Sequence, residues 1–351
     1  MAGNEKYISI VSGGGRGVLP GLLRGALSGM SALYRAGIGG RNFMYSRGLL
    51  NSVALPAPVI SVGNLTVGGT GKTPLVEYIA GHLIASGKKV VILSRGYKAR
   101  RKGTVRRNDE AAVLAENLPG VPHIQDRNRV LAGLRAIKEH NPDCILLDDG
   151  FQYRKLRRDL DIIVIDATNP FGHGRTLPRG LLREPTASLK RAGVVVISKA
   201  DEVSQKETAE TEDAVSKFVP VERIFRAVHR PRNIYTLDGG KEVGLESLRG
   251  RRVFAFCGIG SPGSFRRGLE SLGCEIAGFR AFPDHHRYDG RSLDALREEA
   301  ARSGADVLIT TQKDAVKLAG ADLGRTLYAL RIAFEFVGGE DRFLDILDSA
   351  L

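Results

Sequence analysis

Cysteine is scarce in this chain. Cys144, Cys257 and Cys274 are the three among 351 residues, and no two form a Cys-x-x-Cys pair. A disulfide framework or a structural zinc site is therefore not expected, and a reducing compartment fits. A long uninterrupted apolar run is also missing. The nearest candidate, VLPGLLRGALSGMSALYRAG (Val18–Gly37), carries Arg24, Arg35 and several glycines. A spanning helix needs about 20 predominantly apolar residues, and a central arginine costs about 2.5–3.5 kcal/mol on insertion, so the stretch is not expected to span. Leu22, Leu23, Ala26, Leu27, Met30, Leu33 and Tyr34 fall near helical spacing, with the two arginines off that stripe. This suits a helix lying in a membrane interface, or one packed on the protein's own core. The start, MAGNEKYISIVSGGG, lacks a basic region followed by an apolar run, so no secretory signal is expected.

Acidic residues are in deficit: 39 Asp and Glu against 52 Lys and Arg leave a formal charge of +13. The surplus favours an anionic partner, whether phosphate, nucleic acid or an acidic membrane surface, without choosing among them. Repeats and long low-complexity tracts are absent too. What is present from Pro58 onward is an alternation of short Val/Ile-rich runs with helical stretches. PVISVG, KKVVILSRG (Lys88–Gly96), DCILLDDG (Asp143–Gly150), LDIIVIDA (Leu160–Ala167) and AGVVVISKAD (Ala192–Asp201) read as strands buried on both faces of a parallel sheet. The expected class is α/β: a P-loop-containing, doubly wound, mostly parallel sheet with a second, smaller α/β domain. The expected division is an N-terminal interfacial segment over 1–50, a core domain over 51–224, a β linker with a DGG turn over 225–250, and the smaller domain over 251–351. The two domains are expected to enclose a crevice.

The most informative stretch is itself defined by something missing. VISVGNLTVGGTGKTP (Val59–Pro74) has Gly-Lys-Thr after a buried strand and before a helix, but Thr66 stands where the G-x-x-x-x-G-K-[ST] pattern has its first glycine. The remaining requirements for a phosphate cradle are met. Gly68, Gly69 and Gly71 allow close backbone approach, Lys72 reaches phosphate oxygens, and Thr73 is a ligand for Mg²⁺. In CILLDDGF (Cys144–Phe151), Asp148 and Asp149 fall at a strand's C-terminal end, where a second acidic element helps hold Mg²⁺. NDE (Asn108–Glu110) and FPDHHRYDG (Phe282–Gly290) are uninformative singly, although a histidine near a phosphate site can assist a general base. SKAD (Ser198–Asp201) resembles the Asn-Lys-x-Asp guanine-reading motif, with Ser for Asn.

Taken together, VGNLTVGGTGKTP, LSRGY, NDE, DDGFQYRKLRRDLDI, LPRGLLREP, SKAD, FPDHHRY and TQKDAVKL resemble, in order, the tetraacyldisaccharide 4′-kinase family of lipid A biosynthesis. The resemblance implies transfer of the ATP γ-phosphate to the 4′-hydroxyl of a tetraacylated glucosamine disaccharide 1-phosphate, with Mg²⁺. It also implies a peripheral enzyme on the cytoplasmic face of a Gram-negative inner membrane, where the lipid substrate and anionic surface, and not nucleic acid, are the partners. By that pattern, Thr66, Val67, Gly68, Gly69, Thr70, Gly71, Lys72 and Thr73 hold the nucleotide. Thr73, Glu110, Asp148 and Asp149 surround the metal. Asp109 and His285 form a catalytic dyad alongside Lys72, with Gln152, Arg95 and His286 in support. The chain departs from the family at Tyr153, where a histidine is usual. Two rivals remain at this point: a P-loop GTPase, suggested by SKAD, and a basic membrane-surface module with a vestigial nucleotide fold.

Overall fold

The computed structural model of the protein describes residues 7, 17–96 and 108–351, with the backbone alone at 100, 101, 104 and 105. Most of 1–16 and of the basic run KARRKGTVRR therefore lies outside the described residues. Two compact units emerge. One takes in the chain up to Gly96, Gly120–Val228 and Phe336–Leu351; the other consists of Tyr97–Pro119 and His229–Glu335.

This division differs from a simple cut in the chain, for reasons visible in the packing. Helix Asp109–Asn117, inside the expected core domain, belongs to the second unit. There the Asn117 and Gln312 amides exchange two hydrogen bonds, at 3.1 and 2.6 Å. The C-terminal helix Glu340–Asp348 belongs instead to the first unit, because Phe343 is fully buried against Phe225 and Phe336. An aromatic cluster of this kind stabilises beyond its buried area.

In the first unit, strand Val59–Gly63 lies between Cys144–Asp148 and Leu160–Asp166. Beyond the former come Val90–Ser94 and His123–Gln125, and beyond the latter Val194–Ser198 and the start of Ile224–Thr236. Every pairing is parallel. All five residues are buried in each of the strands Val59–Gly63, Val90–Ser94, Cys144–Asp148 and Val194–Ser198. That is why their sequences run apolar without alternation. The strands' C-terminal ends, at Gly63, Asp148, Asp166 and Ser198, carry the loops in which the sequence motifs fall.

The second unit repeats the principle with fewer strands. Val307–Thr311 lies between Arg252–Cys257 and Leu327–Phe336, with Glu275–Ala281 beside Arg252–Cys257, all parallel. Within the expected β linker, Glu242–Val243 runs antiparallel to Ile234–Tyr235, and Gly239 and Gly240 supply the positive φ of the turn.

Helix Val18–Ser46 docks on the first unit mainly through polar contacts. The Ser31 hydroxyl is 2.7 Å from that of Thr176, and the Tyr34 hydroxyl donates to the Arg183 carbonyl at 3.0 Å. Arg41 and Asn42 each donate to the fully buried Glu184 at 2.8 Å, and Arg191 reaches the same carboxylate at 2.9 Å. Leu22, Leu23, Met30 and Leu33 are exposed, Leu33 by 77%. Arg24 is half-buried, contrary to the expected stripe. Among the described residues no helix is long and apolar enough to cross a membrane.

Candidate active site

The loop after strand Val59–Gly63 makes its first bend without the usual glycine. The buried Asn64 side chain donates to the Thr66 carbonyl at 2.8 Å and to the Thr70 hydroxyl at 3.1 Å. Thr66 pairs with Leu182 as an antiparallel bridge, the Val67 N–H donates to Leu181 at 2.9 Å, and the Arg183 N–H donates to Leu65 at 2.7 Å. A short ladder with residues 181–183 thus does the work of the missing glycine, and Thr66 can hold an extended backbone. Because the Val67 N–H is used in that ladder, the donors left to face an anion begin at Gly68. Gly68 (φ 119°) and Gly71 (φ 82°) take the left-handed region; Gly69 does not. Gly71 caps helix Lys72–Ala85, which places Lys72 and Thr73 in its first turn, where the macrodipole favours anions.

SKAD sits at the end of strand Val194–Ser198 and braces this loop. The Ser198 hydroxyl donates to the Thr70 carbonyl at 2.8 Å. Lys199 pairs with Asp166 and lies 3.4 Å from the Gly69 carbonyl. The side chain standing in for the guanine-reading asparagine is therefore directed at the loop backbone.

The adjacent aspartates divide their work. Asp148 is buried at the end of its strand, while Asp149 turns away from it with φ 55°. Asp149 is paired from both sides: it accepts from Arg183 Nη1 at its two oxygens, at 3.0 and 2.8 Å, and Lys72 Nζ lies 3.6 Å away as an ion pair. Burial works against its charge, but Lys72 and Arg183 prevail and hold the carboxyl at about 2. The buried Arg129 adds to this positive surround, its guanidinium over the Tyr153 ring at 4.7 Å. Gln152 donates to the Asn64 carbonyl at 2.8 Å, linking the acidic turn to the phosphate loop. Thr73, Asp148 and Asp149 are hard oxygen donors, and among the described residues no three acids, histidines or cysteines gather into a closed metal cage. That set fits Mg²⁺, which takes one or two carboxylates and fills its shell with phosphate and water.

In the second unit, Asn108 caps helix Asp109–Asn117 by accepting the Ala111 N–H at 2.9 Å. Asp109 and Glu110 therefore occupy its first turn. His285, held at φ 60° in the loop after Glu275–Ala281, places Nδ1 3.0 Å from Asp109 Oδ2. Lys317 lies 3.6 Å from the same oxygen. Lys313 sits 3.2 Å from both Glu110 and Asp284. The hydrogen bond to Asp109 raises the His285 pKa against the effect of burial. Asp109 has the opposite balance: burial opposes its charge, but His285, Lys317 and Lys313 together bring its pKa below the ordinary value.

The other expected residues behave differently. His286 stacks on Phe282 at 4.3 Å and meets the Ser292 hydroxyl at 3.0 Å, which makes it a structural member of its loop. Arg95 is exposed at the end of its strand. Residue-level reading does not pick out Arg183, Arg129, Lys313 and Lys317, since each gains meaning from a partner distant in sequence, and the bracing role of Asn64 needs the folded turn. LPRGLLREP and TQKDAVKL carried the available signal.

A phosphate loop alone suits a switch as well as a transferase. Relatives of known class decide between the two in favour of a P-loop kinase. Residues 23–351 match the family described as LpxK, tetraacyldisaccharide-1-P 4′-kinase. A tetraacyldisaccharide 4′-kinase of Anaeromyxobacter sp. (strain Fw109-5) is 43% identical over 336 residues, covering 91% of this chain and 89% of the relative. One from Geobacter sulfurreducens is 41% identical over 332 residues, covering 91% and 90%. A crystal structure of LpxK from Aquifex aeolicus, described as in complex with ATP, superposes with a TM-score of 0.73 at 32% identity, covering 93% of this chain and 99% of that one. The chain belongs to the tetraacyldisaccharide-1-phosphate 4′-kinase family. It is a kinase of lipid A biosynthesis, acting at the 4′ position of its acylated disaccharide substrate.

Proposed function

We propose that the first unit binds ATP with Mg²⁺ at Gly68–Thr73, and that the Asp109–His285 pair takes the proton of the 4′-hydroxyl as the γ-phosphoryl group is transferred. The 3.0 Å contact between His285 Nδ1 and Asp109 Oδ2 carries this reading. Bound nucleotide and metal supply the transferable group and neutralise its charge. Lys72 binds phosphate oxygens, exchanging Asp149 for them as counter-ion. Thr73, Asp148 and Asp149 would hold the metal. Asp109 accepts the proton, and His285 orients the carboxylate and shares the charge.

The exposed apolar residues of helix Val18–Ser46 and the excess of cations support peripheral attachment to an anionic bilayer, on the cytoplasmic face of an inner membrane where ATP is available. No role for nucleic acid is assigned. Incubation with γ-labelled ATP, Mg²⁺ and the tetraacylated disaccharide 1-phosphate is expected to place label at the 4′ position. Asp109→Ala and His285→Ala should lose most of that label while still binding ATP, and near-normal turnover in both would sink the dyad assignment. Vesicles containing anionic phospholipid should retain the protein, and Leu22→Glu with Leu33→Glu should release it.

A further inference from the structure

The motif TQKDAVKL contains an acid that the kinase chemistry leaves without a task. Asp314 is fully buried. Its Oδ2 accepts the Gly258 N–H at 2.9 Å and the Thr311 hydroxyl at 2.7 Å, and its Oδ1 lies 2.7 Å from Lys317 Nζ. Such a carboxylate is costly to bury, and the cost is offset only when both oxygens are met in this way.

Two of these partners, Lys317 and Gly258, lead to opposite members of the dyad. Lys317 continues to Asp109 Oδ2 at 3.6 Å, the oxygen that His285 approaches. The Gly258 carbonyl accepts the His285 N–H at 3.1 Å, so the peptide whose N–H is tied to Asp314 is followed by the one that holds the histidine's backbone. Gly258 is also required by space. A Cβ there would stand 3.0 Å from His286 Cβ, 3.1 Å from Asp314 Oδ1 and 3.3 Å from the Pro283 carbonyl.

We propose that Asp314 and Lys317 are positioning residues of this kinase, with Asp314 fixing Lys317 against Asp109 and Gly258 against His285. The proposal rests on the dyad reading above, and it assigns Lys317 an effect that acts through Asp109. Asp109 has a short side chain with two rotatable bonds, and a cation anchored on its far side restricts which oxygen faces the imidazole. A misplacement of about 1 Å in such a pair costs about 10²-fold in rate. A purely structural Lys317 would instead compensate the Asp314 charge and nothing more.

The test is a double-mutant cycle on the full chain with lipid substrate, ATP and Mg²⁺, each variant being checked for ATP binding and melting temperature. Lys317→Met is expected to lower kcat by about 10- to 100-fold with the ATP KM unchanged. Lys317→Arg should restore much of the loss, and Asp314→Asn should resemble Lys317→Met. In an Asp109→Asn background, Lys317→Met should add less than about twofold, because the residue it acts through is already disabled. Multiplicative losses in that background would overturn the proposal, as would a Lys317→Met enzyme of lowered melting temperature but normal kcat. If Asp314→Asn fails to fold, the Lys317 cycle decides alone. Normal turnover of Asp109→Asn by itself would overturn the dyad reading and this proposal with it, an outcome distinct from failure of Lys317.

Discussion

Asp149 in the first unit and Asp109 in the second are both carboxylates with pKa values below normal, yet they are built for different work. Asp149 lies between the side chains of Lys72 and Arg183, two cations that face its carboxylate from either side. Asp109 shares a hydrogen bond with His285, an imidazole whose pKa that bond raises, and leans on the more distant Lys317. On the function proposed above, the first arrangement would keep a negative charge in place for a metal ion, and the second would let a proton move. Partner chemistry, more than burial, separates a charge-holding acid from a proton-exchanging one.

That contrast can be broken most sharply at the dyad. Asp109→Ala or His285→Ala should cost about 10²- to 10⁴-fold in kcat with ATP affinity retained, as measured by label transfer and equilibrium nucleotide binding. Loss of ATP affinity alongside kcat would mean that both acids serve the nucleotide. Lys72→Ala should instead weaken ATP binding together with turnover, by about 10²- to 10³-fold in rate. Unaltered ATP affinity there would move the phosphate site elsewhere.

A smaller effect tests a third acid, which does neither job. Glu184→Ala should destabilise the protein by about 1–3 kcal/mol in denaturant unfolding, because it removes the buried partner of Arg41 and Arg191, whose guanidinium groups are partly open to water. Burial opposes the charge of Glu184, but Arg191 and the hydrogen-bond donors around it lower its pKa overall. Its folded-state pKa being depressed, the stabilisation is complete above the unfolded value of about 4.3 and is lost as pH falls through the folded one. Glu184→Gln should therefore flatten the acid limb of a stability–pH curve; an unchanged limb would assign that loss to other carboxylates. The smallest expected effect is that of Tyr153→Phe. It removes one 3.2 Å hydrogen bond to Asn128 and leaves the ring under Arg129, so the cost should be below about 1 kcal/mol with turnover near normal. A large loss of activity would show that the hydroxyl, and not the ring, is what the site uses.

The phosphate loop was legible because its parts are contiguous. A buried strand, three glycines, a lysine and a helix start within fifteen residues need no tertiary contact to be recognised. The same holds for the Val/Ile-rich strands, whose unbroken apolarity follows from being covered on both faces. The bend at Thr66 was not legible, since it is set by the way Asn64 folds back onto Thr66 and Thr70 and by the ladder at 181–183, more than a hundred positions away. Nor was the membership of helix Asp109–Asn117, which its sequence neighbours assign to one unit and its contact with Gln312 to the other.

The amino-acid sequence alone therefore determined the α/β class, the phosphate loop and the kinase family, because local patterning and ordered motifs carry that information. The tertiary structure decided which acid faces which cation. It joined Asp109 to His285 across 176 positions, locked Asp149 between Lys72 and Arg183, and gave Asp314 its two routes to the dyad. A side chain's charge is written in the sequence, but its pKa and its orientation depend on which partners the folded chain brings within a few ångströms.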